Sequence, residues 1–490
     1  MRIALIYPRL NYNIDFVGND GYVKNMSGYP PLSLAYVAAI IKSAGHEVTI
    51  IDGNISNLSL DNTVEKIKTF QPDLLGFTVT IATFPAVCDW IRSIKKYVDM
   101  PVVIGGPSLG LYIREFMLHK EIDYALCGAV SDSLPKFLGL FKENNTDYLA
   151  GIPGLCFRKG NEFIINQAEY LVDDIGKLPF PSRELLANNK YFSPFSEKKN
   201  FTPFITAKGC FFRCAYCCLV EKPHLREVKD VLAELKECYF RFKIRDIDFY
   251  DPVFTIDKQR ALGICRGIRD EGISIRWSAR THINHIDEEL LKEMASSGCR
   301  MIMYGIESTD KKILLNLNRD FIEPERVKHI VNLTREHGII AFGFFMLGAP
   351  GETIATMKNT IKFSKEAGLD FAQFTRVIAI PGTKLYEKYL SEHGKDYWRQ
   401  LALDGEPEEG LLAVGTDLPP EVIVKYVKQG NLGFYLRPKQ ALRVLLNASS
   451  LLQLMNFIKA GANMLIFFFL SLIFKNMAKD KFNPHKYSEL

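Results

Sequence analysis

The sequence predicts an α/β protein: a doubly wound N-terminal domain, a second and longer run of βα units, and a helical C-terminal region. Three patterns carry this reading. Over residues 1–140, continuous Val/Ile/Leu runs alternate with helical patterns, the mark of parallel strands buried on both faces. From 201 to 385 the alternation resumes with a longer beat. After about 385 strand patterning stops and helical patterning continues.

RIALIYP reads as the first strand, and PLSLAYVAAIIKSAG as a helix closed by Gly45. HEVTIID, DLLGFTV, MPVVIGGP and IDYALCG read as four more strands, separated by the helices NTVEKIKTFQ, FPAVCDWIRSIKKY and YIREFMLHK. This is a Rossmann-like sheet whose ligand belongs at the carboxyl ends of its strands. Residues 141–200, punctuated by GIPGLCFRKGNE and LPFPSREL, read as a short hairpin and a linker. FTPFITAK, DIDFYD, IRWSAR, RMIMYGIES, IIAFGFFML and FAQFTRVIAI then open six successive βα units. That predicts a partial (β/α)6 barrel of the TIM type over 201–385, with the chemistry at the strand C-termini. Residues 386–490 read as helices with a breaker at Pro419–Pro420. Their final apolar run, AGANMLIFFFLSLIF between Lys459 and Lys475, is shorter than the about 20 residues of a membrane span. A core helix and a span compete with a helix lying on a membrane surface, which the flanking lysines favour.

The chain has 490 residues, too long for a single core. Its formal charge of +5 comes from 61 basic and 56 acidic residues without a basic arm or stripe, which argues against nucleic acid as a partner. The apolar start, MRIALIY, breaks at Pro8 and Arg9, too short for a signal peptide. A cytoplasmic protein is expected, peripheral at the inner membrane face if the last helix lies there, with its thiols reduced. Six of the ten cysteines stand singly in apolar segments, where inert burial is the plain reading. The other four fall within nine residues, from Cys210 to Cys218.

That cluster, GCFFRCAYCC, places Cys210, Cys214 and Cys217 on one tight loop after a strand. Three such thiolates can hold three irons of a [4Fe–4S] cubane and leave the fourth open. A structural zinc needs a fourth ligand at similar spacing; Cys218 is adjacent to Cys217 and points away, and no second Cys/His pair follows. A redox pair at Cys214 and Cys217 leaves Cys210 without a role.

On these residues the stretch from about 200 to 380 resembles the radical S-adenosylmethionine (SAM) superfamily, whose signature is C-x3-C-x2-C with an aromatic, here Tyr216, before the last cysteine. The resemblance implies that the open iron chelates the methionine end of SAM, and that SAM is cleaved to methionine and a 5′-deoxyadenosyl radical. It implies that Glu307, in GIES, faces the ribose hydroxyls, and that Arg319 serves the methionine carboxylate, a task suited to a guanidinium. It makes GAPGET, with Gly348, Pro350 and Gly351, the adenine-side turn, and places Asp251 and Arg280 near the methionine or the substrate. An external electron donor of flavodoxin or ferredoxin type is implied as well.

PPLSLAYVAAIIKSAGHEVTIID and VVIGGP, with GIPGLCFR and LPFPSREL, are similar to the cobalamin-binding (B12-binding) domain preceding the barrel in one subfamily. That subfamily contains corrinoid-dependent C-methylases, and the anaerobic magnesium-protoporphyrin ester cyclase and hopanoid-modifying enzymes resemble it. The chain departs from it in having no Asp-x-His-x-x-Gly loop, Ser108 where relatives often carry His, and Gly128-Ala129-Val130-Ser131 in place of an acidic glycine pattern. The resulting expectation is an enzyme that methylates or oxidatively cyclises a small, hydrophobic metabolite, with cobalamin as a further cofactor. The alternative is an RNA- or protein-modifying enzyme without cobalamin. It usually brings a second cysteine triad, whereas residues 1–140 hold only Cys88 and Cys127.

Overall fold

The computed structural model describes residues 1–9, 28–107, 109–141, 146–160, 162–168, 173–197, 199–218, 222–405 and 411–473. Ser108, singled out from the sequence, lies outside them.

The first domain alternates β1 (Arg2–Tyr7), α1 (Leu32–Ser43), β2 (Glu47–Asp52), α2 (Leu60–Phe70), β3 (Leu74–Thr78), α3 (Phe84–Lys95), β4 (Val102–Gly105), α4 (Leu109–Leu118) and β5 (Tyr124–Leu126). These five strands are parallel in the order β2-β1-β3-β4-β5. Winding reverses between β1 and β3, so the crevice for a ligand opens at their carboxyl ends. After α5 (Ser133–Leu140) and α6 (Thr146–Leu149), the sheet gains β6 (Leu155–Lys159) and β7 (Glu162–Ile165), both antiparallel. The first domain therefore runs past residue 140: the expected hairpin is in the sheet, where it covers the open edge of β5.

The second sheet comprises β8 (Phe201–Phe204), β11 (Asp246–Phe249), β12 (Arg276–Thr281), β13 (Cys299–Glu307), β14 (Ile340–Leu347) and β15 (Phe371–Arg376), all parallel and in that spatial order. A two-stranded ladder, β9 (Ala207–Lys208) with β10 (His224–Leu225), brackets the cysteine loop. Helices α7 (Val228–Lys236), α8 (Lys258–Asp270), α9 (Glu288–Ser296), α10 (Lys311–Asn316), α11 (Pro324–Glu336) and α12 (Ile354–Glu366) follow the strands. Phe249, Trp277, Ile302 and Phe345 face these helices in one continuous core. Alternation along each strand then turns Asp248, Ser278, Arg280, Met301 and Met303 into the barrel lumen.

The C-terminal helices complete the barrel. α13 (Lys384–His393) and α14 (Tyr397–Asp404) bury Leu385, Tyr389, Trp398 and Leu401 in the core of the first domain. α15 (Pro420–Tyr435) caps the free edge of β15: Asn431 exchanges hydrogen bonds with the amide and carbonyl of Phe374, and the Tyr435 hydroxyl does the same for Ala372. α16 (Pro438–Leu446) leads to α17 (Leu451–Ile473). Phe457 of α17 and Phe195 of the linker meet Met301, Met303, Phe342 and Phe371, forming an apolar barrel floor. No helix among the described residues is long and apolar enough to cross a membrane.

Candidate active site

The cysteine loop is built from both ends. Upstream, Asp251 at the end of β11 is fully buried and accepts from the amides of Thr206 (2.6 Å) and Ala207 (2.9 Å) and from the Thr206 hydroxyl. Arg260 donates to the Thr206 carbonyl at 2.6 Å. Asp251 thus fixes the backbone from which Cys210 departs. Gly209, at φ 89°, makes the turn a side chain would resist. Downstream, the amide of Ala215 donates to Leu317 O (2.8 Å), its carbonyl accepts from the Leu385 amide (2.8 Å), and Asn318 donates to Arg213 O. Cys214 is buried, Cys210 and Cys217 are half-buried, and Cys218 is exposed.

Tetrahedral zinc with Zn–S near 2.3 Å holds its sulfurs about 3.8 Å apart. The only trio of potential ligand atoms gathered within 4.8 Å among the described residues is Cys88, His119 and Glu121, so the loop's thiols are spread wider than one zinc ion holds them. A cubane, with one thiolate on each of three irons, spaces its sulfurs more widely than a single ion does. The Cys88 corner is an ion pair: Arg92 binds Glu121 at 2.7 Å and reaches Cys88 Sγ at 3.8 Å, while burial pushes the thiol up to about 12.

Tyr216, Glu307 and Arg319, far apart in sequence, meet behind the loop. Arg319 Nη1 donates to Tyr216 Oη (3.3 Å) and lies 3.7 Å from Cys214 Sγ; its Nη2 donates to Gly305 O and stands 3.8 Å from Glu307 Oε1. The Tyr216 hydroxyl donates to Glu307 Oε1 at 3.3 Å. Glu307 sits at φ 63°, where β13 shifts register against β14, a strained backbone that turns its carboxylate into the site. Burial pushes the Glu307 carboxyl up, more than Arg319 and Tyr216 draw it down. A buried carboxylate with two long contacts has acceptor capacity left for a ligand's hydroxyls. A Cβ on Gly305 would come 2.8 Å from both Arg319 Nη2 and Glu307 Oε1, so a side chain there would push these two groups aside.

The GAPGET turn follows β14. Gly348 (φ 83°) and Gly351 (φ 80°) have left-handed backbones, and Asn316 donates to Pro350 O at 2.7 Å. Glu352, missed in the sequence, closes the turn by accepting from the Ala349 amide and the Thr356 hydroxyl; burial raises its carboxyl to about 7. Ala349 packs with Ile313, Leu317 and the Tyr216 ring, joining this turn to the cysteine loop.

Arg280 lies deeper in the lumen, paired with Asp248 through two 3.1 Å contacts and stacked over Tyr250 at 4.1 Å. Tyr29, from the first domain, meets Tyr250 at 6.1 Å and Phe201 at 4.9 Å. The lumen is therefore lined from both domains. The structure brings Tyr216, Glu307, Arg319 and the turn together, sets Arg280 below them, and buries Asp251 beneath the loop. Only barrel closure identifies Tyr29, Asp248 and Tyr250.

At the crevice of the first sheet, Gly105 has open space where a Cβ would stand, while a Cβ on Gly106 would lie 1.9 Å from Val79 O. The β3 and β4 ends thus meet backbone to backbone at Gly106, with open space beside Gly105. Asp173 of the linker accepts from the amides of Val130 (3.2 Å) and Ser131 (2.8 Å), supplying the acid that the 128–131 loop lacks.

An open three-thiolate loop at the top of a parallel barrel, facing a doubly wound sheet, defines a two-domain cluster enzyme. The B12 binding domain family matches residues 26–138, and the radical SAM superfamily matches residues 204–364. The chain belongs to the radical SAM enzymes that carry a B12-binding domain. It is 30% identical over 454 residues to an uncharacterized methyltransferase of Pyrococcus horikoshii, covering 90% of this chain and 93% of that one. It is 24% identical to the cytidylyl-2-hydroxyethylphosphonate methyltransferase of Streptomyces wedmorensis, over 78% of this chain and 80% of that one. Its fold is similar to that of the radical SAM methyltransferase TsrM from Kitasatospora setae, solved with cobalamin and a [4Fe–4S] cluster bound. The TM-score is 0.64 at 19% identity, over 80% of this chain and 75% of that one.

Proposed function

We propose that this enzyme methylates a carbon of a small, hydrophobic molecule, using a [4Fe–4S] cluster, SAM and cobalamin. The observation that carries the proposal is the convergence of Tyr216, Glu307 and Arg319 on the loop of Cys210, Cys214 and Cys217. Bound to those thiolates and reduced by a flavodoxin- or ferredoxin-type donor, the cluster supplies the electron that splits SAM. Glu307 accepts from the ribose hydroxyls, Arg319 neutralises the methionine carboxylate, and the turn from Gly348 to Gly351 lets backbone approach the adenine. Gly105 and Gly106, at the carboxyl end of β4, would lie against a bound cobalamin, which would supply the methyl-carrying cobalt. The substrate enters between Tyr29 and Arg280, over the floor of Met301, Met303, Phe342 and Phe371. The apolar floor supports a hydrophobic substrate, and the likeness to the two methyltransferases and to TsrM supports methylation.

The protein also docks on the cytoplasmic membrane face in this reading. Leu442, Leu445 and Leu446 of α16 and Leu451, Met455, Ile458 and Leu465 of α17 are exposed together. Such a patch favours a lipid surface.

The test is anaerobic reconstitution followed by product analysis. Reduced protein should convert SAM to 5′-deoxyadenosine, with S-adenosylhomocysteine alongside it when a substrate is methylated. Cys210→Ala, Cys214→Ala and Cys217→Ala should each lose the cluster, and Cys218→Ala should keep it. A full complement of iron and sulfide in any of the first three variants removes the basis of the proposal.

A further inference from the structure

His282 and Arg319 each present a buried N–H that finds no acceptor among the described residues. Both belong to the surroundings of the cysteine loop: His282 meets Phe212, and Arg319 reaches Cys214 Sγ. His282 follows the last residue of β12 and is 3% exposed. Its ring stacks on Phe212, midway between Cys210 and Cys214, with centroids 4.9 Å apart and planes 19° apart. His285 meets the edge of both rings, at 5.7 Å from Phe212 and 5.9 Å from His282.

The local turn fixes the tautomer. His282 Nδ1 accepts the amide N–H of Asn284 at 3.2 Å, so it carries no proton, and the proton of the neutral ring sits on Nε2. Burial, with Arg319 and His285 adding to it, holds the ring neutral with a value near 3. Nε2–H is therefore a donor in a nine-tenths buried ring, and an orphaned buried donor calls for an explanation. Arg319 repeats the situation: its Nη atoms serve Gly305, Tyr216 and the Cys214 sulfur, while Nε has no partner among the described residues.

We propose that His282, through Nε2–H, is a hydrogen-bond donor to a sulfur of the cluster held by the cysteine loop, with Arg319 Nε–H as a second donor. This rests on the cluster assignment made above. His282 is then a positioning and tuning residue rather than a catalytic one. Hydrogen bonds to cluster or thiolate sulfur stabilise the more negative, reduced state and raise the reduction potential. The stack on Phe212 gives His282 a structural reason to exist as well, so the test must separate the N–H from the ring.

His282→Phe keeps a ring against Phe212 and deletes the donor; His282→Gln deletes the ring and keeps an N–H. Full-length protein is reconstituted anaerobically, and iron, the midpoint potential and the electron paramagnetic resonance spectrum of the reduced cluster are measured without SAM. The expected result is wild-type iron content in both, a more negative midpoint with altered g values in His282→Phe, and recovery toward wild type in His282→Gln. If His282→Phe does not hold iron, the same comparison is made between His282→Gln and His282→Met, which differ in the donor at similar length. An unchanged potential and spectrum in the variant lacking the donor overturns the proposal. So does a shift seen only after SAM is added, which assigns the N–H to SAM, or a Gln variant that behaves like its donor-free partner. Failure of the wild-type protein to assemble a cluster refutes the cluster assignment itself and is distinguishable from each of these.

Discussion

Replacing Asp251 by Ala should weaken the fold and the cluster together, because this carboxylate holds the backbone from which the cysteine loop starts. It accepts three hydrogen bonds in a fully buried setting, two from amides that have no freedom to turn elsewhere. Each stranded buried donor costs roughly 1–3 kcal/mol, and the hydroxyl of Thr206 escapes by rotating, so two amides set a loss of about 2–6 kcal/mol. Arg260, which leans on the Thr206 carbonyl, also loses a nearby countercharge. Asp251→Asn retains one carbonyl for the amides and should fall between wild type and Ala. Denaturant unfolding of the anaerobic apo protein gives the stability change, and iron per chain after reconstitution gives the effect on the loop. The expected order in both is wild type, Asn, Ala. If Ala unfolds within about 1 kcal/mol of wild type, holds full iron and loses only SAM affinity, Asp251 faces the ligand and the anchoring argument fails.

Three other outcomes are expected. The buried Glu352 carboxyl keeps its proton to about pH 7, whereas an unfolded one releases it near 4.5; between those values the native state binds more protons, so stability falls as pH rises. Glu352→Gln should remove that slope, worth about 3 kcal/mol across the window, in unfolding experiments from pH 4.5 to 7. Gly305→Ala should keep its cluster while SAM binding, followed by calorimetry, weakens at least tenfold, since the new Cβ pushes Arg319 from Glu307. Truncation after Lys459 removes the apolar run that follows it but keeps the exposed residues from Leu442 to Ile458, so flotation with anionic liposomes should weaken; the barrel should stay folded, because Phe457, the α17 side chain in the barrel floor, is retained. A truncated chain that floats as well as the full-length protein, or one that unfolds, contradicts that assignment.

Much of this protein was legible in its order of residues. The βα alternation located both parallel sheets: strands of the first, buried on two faces, are apolar throughout, and β11 and β12 of the second alternate core-facing apolar with lumen-facing polar residues. The three thiols were legible for a different reason: their ligand set lies within one loop of eight residues, so spacing alone conveys geometry. Even the hairpin after residue 150 was visible as turn residues, but its membership of the first sheet was not, since edge pairing depends on which strand end is open.

The roles of single polar residues are where the sequence stopped and tertiary structure decided. Asp251 stands at a strand end, where ligand contacts gather, yet closure of β8 against β11 turns it beneath the loop. His282 carried no motif at all; it acquires significance because Phe212 stacks on it from 70 positions earlier. Tyr29 reaches the lumen because α13 and α14 lock the first domain onto the barrel through Tyr112, Tyr386 and the Glu115–Arg399 pair. Periodicity and local ligand spacing are properties of neighbouring residues, so the sequence determined the two folds and the cluster loop. Which buried donor is left without a partner is a property of distant segments brought into contact, and only the packed structure settles it.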